Sequence, residues 1–340
     1  MASNNKAVTV AVLDDYQNAA LRLADWSVLD GRATVTVFND HLADVDAVVE
    51  RLKGFDVLCA MRERTPLPRS TLERLPRLKL IVSTGARNAA IDAEAATERG
   101  ISLAFTGYTS APTIEMTWAL ILAASRHIVH ENLAFRRGAW QQGIGIGLAG
   151  KTLGVLGLGR VGGAVAEVGG LFGMKVITWS PNMTPERAAE RGATAVSKEE
   201  LLRRSDVLTL HMVLSPKTRG LLGASELALM KPSSLLVNTS RGPLVDEAAL
   251  LSALTSRRIA LAALDVFDTE PLPADHPLRS LENVLGTPHI GYVADDLYRI
   301  FYGDTVKALD GWLAERAKGD KNDKNDKNDK SDKSDKSDKS

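Results

Sequence analysis

The stretch that decides the fold runs from Lys151 to Gly162 and reads K-T-L-G-V-L-G-L-G-R-V-G. An apolar strand leads directly into the spacing G-x-G-x-x-G, and a helix follows the last glycine. Gly157 permits a tight turn, Gly159 lets the backbone approach a pyrophosphate, and Gly162 lets the helix pack close to the strand. The N–H groups at the start of that helix then face the phosphates. The stretch therefore predicts a dinucleotide-binding turn.

Short apolar strands alternate with helical stretches on both sides of this turn, which is typical of parallel sheets with helices on both faces. Before the turn, strands are predicted at Val8–Leu13, Ala33–Phe38, Val57–Ala60, Leu80–Ser83 and Ile101–Ala104. From the turn onward, they are predicted at Leu153–Leu156, Val176–Trp179, Val207–His211, Leu235–Asn238 and Ala262–Val266. Ser110 and Pro112 are expected to open a long helix that ends near His130, and a last helix is expected from Asp295 to Arg316. The sequence predicts two doubly wound α/β units in tandem.

The composition is that of an ordinary globular protein: 340 residues, of which 44% are hydrophobic and 25% charged. The formal net charge is zero and the folded region has no basic block, so neither nucleic acid nor an anionic membrane is an expected partner. No run reaches the roughly 18 apolar residues of a membrane helix, and the first residues lack the apolar core of a signal peptide. Cys59, the single cysteine, lies in an apolar run and is expected to be an inert buried thiol. These features predict a cytoplasmic location.

The end of the chain is of low complexity. From Gly319 to Ser340 it repeats the triplets D-K-N and D-K-S. Because these triplets contain no apolar residue to bury, a disordered tail is expected over residues 319–340.

A dinucleotide-binding protein that acts on small anions needs a fixed cation and a proton donor. Arg241 follows the strand Leu235–Asn238, at the end of the strand where such sheets bind ligands, and its guanidinium can hold a carboxylate through two hydrogen bonds. Of six histidines, His289 in T-P-H-I-G is the best candidate for general acid and base, because imidazole titrates near neutral pH. His211 ends a strand and fits a structural or a cofactor-side role equally well. Glu270 in L-D-V-F-D-T-E-P is either a partner of the histidine or a solvated acid before a proline.

The ordered set of a glycine-rich turn, N-T-S-R-G, L-D-V-F-D-T-E-P and T-P-H-I-G closely resembles the D-2-hydroxyacid dehydrogenase family. The resemblance covers residues 50–315, and the combined motifs are highly specific. In that family the matching arginine binds the carboxylate and carbonyl of a 2-oxo acid, the histidine is the acid and base, and the glutamate is its partner. The resemblance assigns these catalytic roles to Arg241, His289 and Glu270.

The resemblance also implies the architecture, the cofactor and the partners. It implies a discontinuous flavodoxin-like substrate domain, residues 1–105 plus 291–318, and a Rossmann dinucleotide-binding domain, residues 106–290. The implied cofactor is NAD or NADP, with contacts at Gly157, Gly159, Arg160, Val161, Gly162, Ser180, Met212, Thr239, Ser240 and, on the nicotinamide carboxamide, Asp265. The small 2-oxo or 2-hydroxy acid would meet the loop amides of Gly85, Ala86 and Arg87, together with Arg241 and Tyr292. No metal is expected, and a homodimer through the helix near residues 112–130 and the arm after it is typical of the family.

The chain departs from the family pattern at three positions. NAD-preferring members carry an acidic residue where this chain has Ser180, and a neutral residue there removes the repulsion that excludes a 2′-phosphate. The nearest arginine, Arg187, lies seven residues further on, so the preference between NAD and NADP stays open. Tyr292 stands where a small residue is usual, and its ring either lines the pocket or packs outward. Val213 stands in place of a common proline.

The predicted reaction is hydride transfer between a nicotinamide and a small 2-oxo acid or D-2-hydroxy acid, as in glyoxylate and hydroxypyruvate reductases. Two alternatives stay open. A phosphite-type dehydrogenase on the same scaffold fits the three catalytic residues, whereas formate is disfavoured because formate-specific relatives carry glutamine at the position of Glu270. A nicotinamide-sensing corepressor-like binding protein keeps the same three residues, although this chain offers only a repetitive polar tail to a partner.

Overall fold

The structure is a computed structural model and describes residues 7–334, with side chains as far as residue 318. Its strands are β1 Val8–Val12, β2 Ala33–Val37, β3 Val57–Ala60, β4 Leu80–Ser83, β5 Ser102–Phe105, β6 Thr152–Leu156, β7 Lys175–Trp179, β8 Thr194–Ala195, β9 Val207–Leu210, β10 Leu235–Asn238, β11 Leu261–Leu264 and β12 Val284–Gly286. Its helices are α1 Ala20–Leu23, α2 Val45–Leu52, α3 Arg69–Leu72, α4 Ala93–Glu98, α5 Ala111–Ser125, α6 Ile128–Arg136, α7 Arg160–Leu171, α8 Pro185–Ala189, α9 Lys198–Arg204, α10 Ala224–Leu227, α11 Glu247–Thr255 and α12 Asp295–Ser334.

The chain divides into two compact units, each built around its own parallel sheet. Among the described residues, the first unit comprises 7–108 and 295–334, and the second comprises 109–294. These limits lie a few residues beyond the predicted ones at 105 and 290. The predicted fold class, two doubly wound parallel-sheet units, is confirmed.

The first unit has the strand order β2-β1-β3-β4-β5, with every neighbouring pair parallel. Strands β3 and β4 are buried on both faces, as their continuous apolar sequences require. Leu58 and Ile81 belong to an apolar cluster on one side of the sheet that also includes residues of α2 and α4. Burial raises the pKa of the Cys59 thiol in β3 to about 12, in keeping with the inert thiol expected there.

The second unit has the order β12-β11-β10-β9-β6-β7-β8, again with every pair parallel. Successive residues of its strands point to opposite faces: Leu235 and Val237 join one apolar cluster, and Leu236 joins the other. The chain runs from β6 outward to β8 and then returns to β9 on the other side of β6. The switch in direction therefore falls between β6 and β9, where sheets of this kind form a ligand crevice.

Two helices differ from the sequence predictions. The single helix expected to end near His130 is wrong: α5 ends at Ser125, and α6 begins after His127, whose φ of 52° is left-handed and cannot continue a right-handed helix. Helix α12 runs on through residues 319–334, where the sequence predicts disorder, and residues 335–340 lie outside the described part of the chain. No helix among the described residues is long and apolar enough to cross a membrane.

Candidate functional site

The register of the second sheet gathers the predicted site residues of that unit at one edge. Leu210, Asn238, Leu264 and Gly286, the last residues of four neighbouring strands, are paired in register. Leu156 and Trp179, which end β6 and β7, are also paired in register, and Leu156 pairs with Leu210. The segments that follow these strands therefore all begin at the carboxyl edge of the sheet, where ligands of such folds bind.

The glycine turn after β6 fits a dinucleotide pyrophosphate. Gly157 has a φ of +97°, and a Cβ there would lie 2.8 Å from the carbonyl oxygen of His211. A Cβ on Gly162 would lie 2.0 Å from the carbonyl oxygen of Gly157, so the helix can pack this closely only with glycine. Gly159, in contrast, has no atom within 4 Å of a would-be Cβ, and α7 begins at the next residue. Open space beside a helix N-terminus is what a phosphate group requires.

The segment after β7 supplies the neighbourhood expected for the cofactor ribose. Ser180 follows the last residue of β7 and is partly exposed. Arg187 lies in α8, and its guanidinium donates a hydrogen bond of 3.2 Å to the carbonyl oxygen of Asn182. A cation therefore stands beside the loop that begins at Ser180. At the start of α7, Arg160 is exposed and Val161 is partly buried against the apolar cluster of that side of the sheet.

Hydrogen bonds fix the loops after β9 and β10 to each other. Ser240 Oγ donates to the carbonyl oxygen of Met212 at 2.7 Å. Thr239 is buried, and its hydroxyl lies 2.7 Å from that of Thr117 in α5. Ser240 N donates to Asn238 Oδ1 at 3.0 Å. These side chains anchor the loop that carries Arg241.

Arg241 is partly buried, and both its backbone and its side chain are hydrogen-bonded to preceding residues. Its carbonyl oxygen accepts from Asn238 Nδ2 at 2.9 Å, and its Nη1 donates to the carbonyl oxygen of Ser240 at 2.8 Å. The next residue, Gly242, packs flush against the chain at Phe267: a Cβ there would lie 2.1 Å from the Phe267 carbonyl carbon. The arginine loop is therefore in direct contact with the segment that leads to Glu270.

Glu270 and His289 form a hydrogen-bonded pair. Glu270 Oε2 lies 2.5 Å from His289 Nδ1, and the other carboxylate oxygen, Oε1, accepts from the backbone N–H of Phe267 at 2.9 Å. The side chains are 33% and 27% exposed, so the pair is sheltered but still reachable by a small molecule. Because the carboxylate faces Nδ1, the ring turns Nε2 to the other side, where it can hold a proton for a ligand. Of the two interpretations of Glu270, the structure favours the histidine partner.

Asp265 holds the loop that carries His289. It is 1% exposed; Oδ1 accepts from Thr287 Oγ1 at 2.6 Å and from Ile290 N at 2.9 Å, and Oδ2 accepts from Gly291 N at 2.7 Å. Burial raises the pKa of Asp265 above its usual range, against the opposing effect of these hydrogen bonds. The sequence assigned this carboxylate to the nicotinamide carboxamide, and that contact stays a prediction. The positioning role was missed because its three donors lie 22 to 26 residues further along the chain.

Tyr292 packs inward rather than outward. It is 6% exposed, and its ring centre lies 5.4 Å from that of His289 with the planes at 82°, an edge-to-face contact. Such contacts are favourable beyond the area that they bury. The tyrosine therefore limits the positions that the imidazole can adopt, and its predicted contact with substrate stays a prediction.

Two other histidines that follow the second sheet's glycine turn in the chain, His211 and His276, are placed for other purposes. His211 is buried with Nε2 2.9 Å from Thr209 Oγ1, and burial lowers its pKa to about 3, so it stays neutral near pH 7. His276 caps a short 3-10 turn and lies 3.1 Å from Glu247. The environment of His211 thus excludes it from acid catalysis. Within the part of the chain that the structure describes, no cluster of three His, Cys, Asp or Glu side chains could hold a metal ion.

In the first unit, the predicted substrate loop follows β4. Gly85 is buried with a φ of +87°, and Ala86 and Arg87 are exposed. The Gly85 N–H donates to Thr106 Oγ1 at 2.8 Å, and its predicted contact with the substrate stays a prediction. In the described residues the N–H groups of Ala86 and Arg87 have no acceptor, so these two amides can bind an anion. Sequence analysis missed Arg62, whose guanidinium covers Gly85; its position just after a buried strand was the available signal.

Comparison with known proteins agrees with this geometry. Residues 118–291 match the family described as D-isomer specific 2-hydroxyacid dehydrogenase, NAD binding domain. A D-3-phosphoglycerate dehydrogenase of Methanocaldococcus jannaschii is 41% identical over 278 residues, which cover 79% of this chain and 53% of that protein. The chain thus spans about half the length of that relative.

Two further proteins match over a larger share of their own length. A glyoxylate reductase of Aeropyrum pernix is 45% identical over 228 residues, which cover 64% of this chain and 68% of that enzyme. The crystal structure of a phosphoglycerate oxidoreductase from Vibrio cholerae aligns with a TM-score of 0.86 and 39% identity, over 91% of this chain and 99% of that one. Both sequence and fold therefore point to the same family.

Proposed function

Because the chain belongs to the D-isomer specific 2-hydroxyacid dehydrogenase family, we propose that it reversibly transfers a hydride between a nicotinamide dinucleotide and a small 2-oxo acid. The observation that carries the proposal is the Glu270–His289 pair at 2.5 Å, on the same edge of the sheet as the glycine turn and Arg241. A fixed cation, a proton donor with its partner, and a phosphate-binding turn are the groups that such a reaction needs.

Each of the three catalytic side chains has a distinct task in this proposal. The guanidinium of Arg241 binds the carboxylate of the 2-oxo acid and polarises its carbonyl. Nε2 of His289 holds the proton that passes to the carbonyl oxygen as negative charge develops there. Glu270, hydrogen-bonded to Nδ1, fixes the orientation of the imidazole and leaves Nε2 for the substrate. A bound nicotinamide supplies the hydride.

We propose NAD or NADP as the cofactor. Gly157, Gly159 and Gly162 would form the turn that binds the pyrophosphate. A side chain at the first or third position would collide with the backbone of the turn, and the second position has open space beside it. Ser180, in place of the usual acidic residue, leaves room for a 2′-phosphate. Arg187 lies against the same loop and supports acceptance of NADP. The other proposed contacts are Arg160, Val161, Met212, Thr239, Ser240 and Asp265.

We propose a substrate of the size of glyoxylate or hydroxypyruvate. The similarity to a glyoxylate reductase supports this choice, and the buried ring of Tyr292 against His289 supports a small acid. In the first unit, the N–H groups of Ala86 and Arg87 would bind the substrate carboxylate. The relatives named for phosphoglycerate favour a second candidate, D-3-phosphoglycerate, whose oxidation is the same chemistry in reverse.

We propose that two copies of the chain associate through the apolar arm, defined here as residues 128–146, and α5 before it. The arm exposes apolar side chains to a degree that is unusual for a protein surface: Ile144 is 96% exposed and Trp140 73%. The remaining exposed apolar side chains of the arm are Ile128, Val129, Leu133, Phe135 and Ile146. The proposed partner is a second copy of the chain, because it carries the same apolar surface and is always present.

The test is a steady-state panel with purified protein. Glyoxylate, hydroxypyruvate and pyruvate would be assayed with NADH and NADPH, and phosphite and D-3-phosphoglycerate with NAD and NADP. The proposal predicts turnover of at least one 2-oxo acid, and a loss of about 10²- to 10⁴-fold in kcat/KM in His289→Ala. His276→Ala is the matched control, since His276 is a capping residue. Turnover of phosphite alone, or cofactor binding with no turnover at all, would replace the proposal by one of the two alternatives.

A further inference from the structure

Arg62 lies directly on the loop that we propose binds the substrate carboxylate. It follows β3, the strand that pairs with β4. Its backbone is left-handed, with a φ of 51°, which is unusual for a residue with a long side chain. The side chain is only 17% exposed, and its Nη2 lies 3.6 Å from Oε2 of the neighbouring Glu63. A left-handed backbone and a largely buried arginine both cost free energy, which indicates that this position has a role other than packing.

The contacts of Arg62 reach both ends of the loop. Its backbone N–H donates to Thr84 Oγ1 at 2.8 Å, and Nη1 donates to the carbonyl oxygen of Thr84 at 3.2 Å. At the far end, Asn88 Nδ2 donates to the carbonyl oxygen of Arg62 at 2.5 Å and to Ser83 Oγ at 3.0 Å. Thr84 and Asn88 are both buried. The exposed residues between them therefore span two points that Arg62 fixes.

The guanidinium also occupies the space beside Gly85. A Cβ on Gly85 would lie 1.8 Å from Arg62 Nη1, so a side chain at this position and the observed arginine exclude each other. On its other side, the guanidinium carbon lies 5.5 Å from the ring centre of Tyr108, within the range of a cation–π contact. The arginine is thus held between an aromatic ring and the bare backbone of the loop.

We propose that Arg62 is a positioning residue: it clamps residues 84–88 so that the free N–H groups of Ala86 and Arg87 keep the orientation in which they bind the substrate carboxylate. This inference rests on the proposed function, because it assumes that the loop receives a 2-oxo acid. Arg62 acts through the loop and not on the substrate. Its loss should weaken substrate binding while the chemical step and cofactor binding stay intact.

The kinetic test compares Arg62→Ala, Arg62→Lys and Gly85→Ala with wild type, using glyoxylate and hydroxypyruvate. Losing a charge-assisted hydrogen bond should raise KM about tenfold or more for both substrates, with kcat changed less than about threefold and the NADH Kd unchanged. Arg62→Lys should recover part of the loss. Gly85→Ala should raise KM in wild type, and less so in the Arg62→Ala background, where the collision is gone and only the strain of alanine at a φ of +87° remains. A rise in KM confined to hydroxypyruvate would indicate direct contact with the substrate side chain and overturn the proposal.

The matched control is Arg77→Ala, which removes an arginine that binds Asp56 at the opposite end of β3. It should leave both KM values unchanged. Hydrogen exchange tests the clamp without reference to activity: the hydrogen-bonded amides at the two ends of the loop, those of Thr84, Gly85 and Ala90, should exchange about tenfold faster in Arg62→Ala than in Arg77→Ala. Unchanged exchange would overturn the clamp. Absence of any 2-oxo acid turnover in wild type would instead contradict the proposed function, while the exchange result would still decide the role of Arg62.

Discussion

For single residues, surroundings decide which of His211, His276 and His289 can do acid–base chemistry. His211 is buried without a charged partner, so it stays neutral, and His276 is used as a cap. His289 alone among these three combines partial exposure with a carboxylate at Nδ1 and a position beyond a strand end. Residue type could suggest all three, but only the tertiary environment separates them.

Replacing Glu270 by glutamine tests the pairing. The amide oxygen can still accept the Phe267 N–H, but the negative charge beside His289 is lost. The charge-assisted hydrogen bond that orients the imidazole is then replaced by a weaker one, so kcat/KM for glyoxylate should fall about tenfold. The measurement is steady-state kcat/KM for glyoxylate beside that of the wild type.

Glu247→Gln provides the control, because Glu247 makes the equivalent contact with His276 at 3.1 Å. It should leave kcat/KM at the wild-type value. A Glu270→Gln variant with the wild-type kcat/KM would contradict the role given to the glutamate.

Among the structural elements, the central strands of both sheets share one arrangement at their amino ends: an aspartate before one strand is hydrogen-bonded to the neighbouring strand. Asp206 precedes β9 and accepts from Thr152 N in β6 at 2.8 Å and from Lys231 Nζ at 2.7 Å. Asp56 precedes β3 and accepts from Thr9 N in β1 at 3.0 Å. Each carboxylate thus joins two neighbouring strands at the edge opposite to the ligand crevice.

Asp206→Asn should destabilise the fold without affecting catalysis. Burial alone would raise the pKa of Asp206, but the hydrogen bonds from Lys231 and Thr152 outweigh it, so the pKa lies below its usual range. A lowered pKa means that the carboxylate contributes stability above its unfolded value of about 3.9 and loses that contribution as the pH falls through the folded value. We expect a loss of about 1–3 kcal/mol at pH 7, measured by denaturant unfolding, with kcat/KM unchanged.

Glu167→Gln is the control for this variant, because its pair with Arg191 is exposed on both sides and should contribute little. If Asp206→Asn matched Glu167→Gln in stability at pH 7, the strand-joining role would be refuted. So would a stability difference that grew, rather than shrank, below pH 4.

The elements were largely predictable because alternating apolar runs fix strands locally. Strand limits agree within one or two residues in most cases; for example, Leu235–Asn238 is found as predicted. The break at His127 was not predictable, because no glycine or proline marks it. The pairing of Glu270 with His289 was predicted from the family resemblance, whereas Arg62 and the bonds of Asp265 depend on tertiary positions that spacing does not reveal.

At the scale of the whole molecule, the apolar arm makes a prediction about assembly. Phe135 and Ile144 are 64% and 96% exposed, and burial of such side chains is a strong driving force for association. The wild-type chain should sediment as a dimer, and the double variant Phe135→Glu, Ile144→Glu as a monomer. Leu21→Glu, which changes an exposed leucine of the first unit, should remain dimeric. A monomeric wild type would contradict the proposed interface.

In the proposed function, Arg241, His289 and Glu270 act together beside a bound nicotinamide. The decisive measurement is single-turnover oxidation of NADH by glyoxylate. With His289→Gln, we predict that the cofactor still binds with its wild-type Kd, while the first-turnover rate falls by about 10²- to 10⁴-fold. With Arg241→Ala, saturation with glyoxylate should be lost. A His289→Gln variant that oxidises NADH at nearly the wild-type rate would contradict the account.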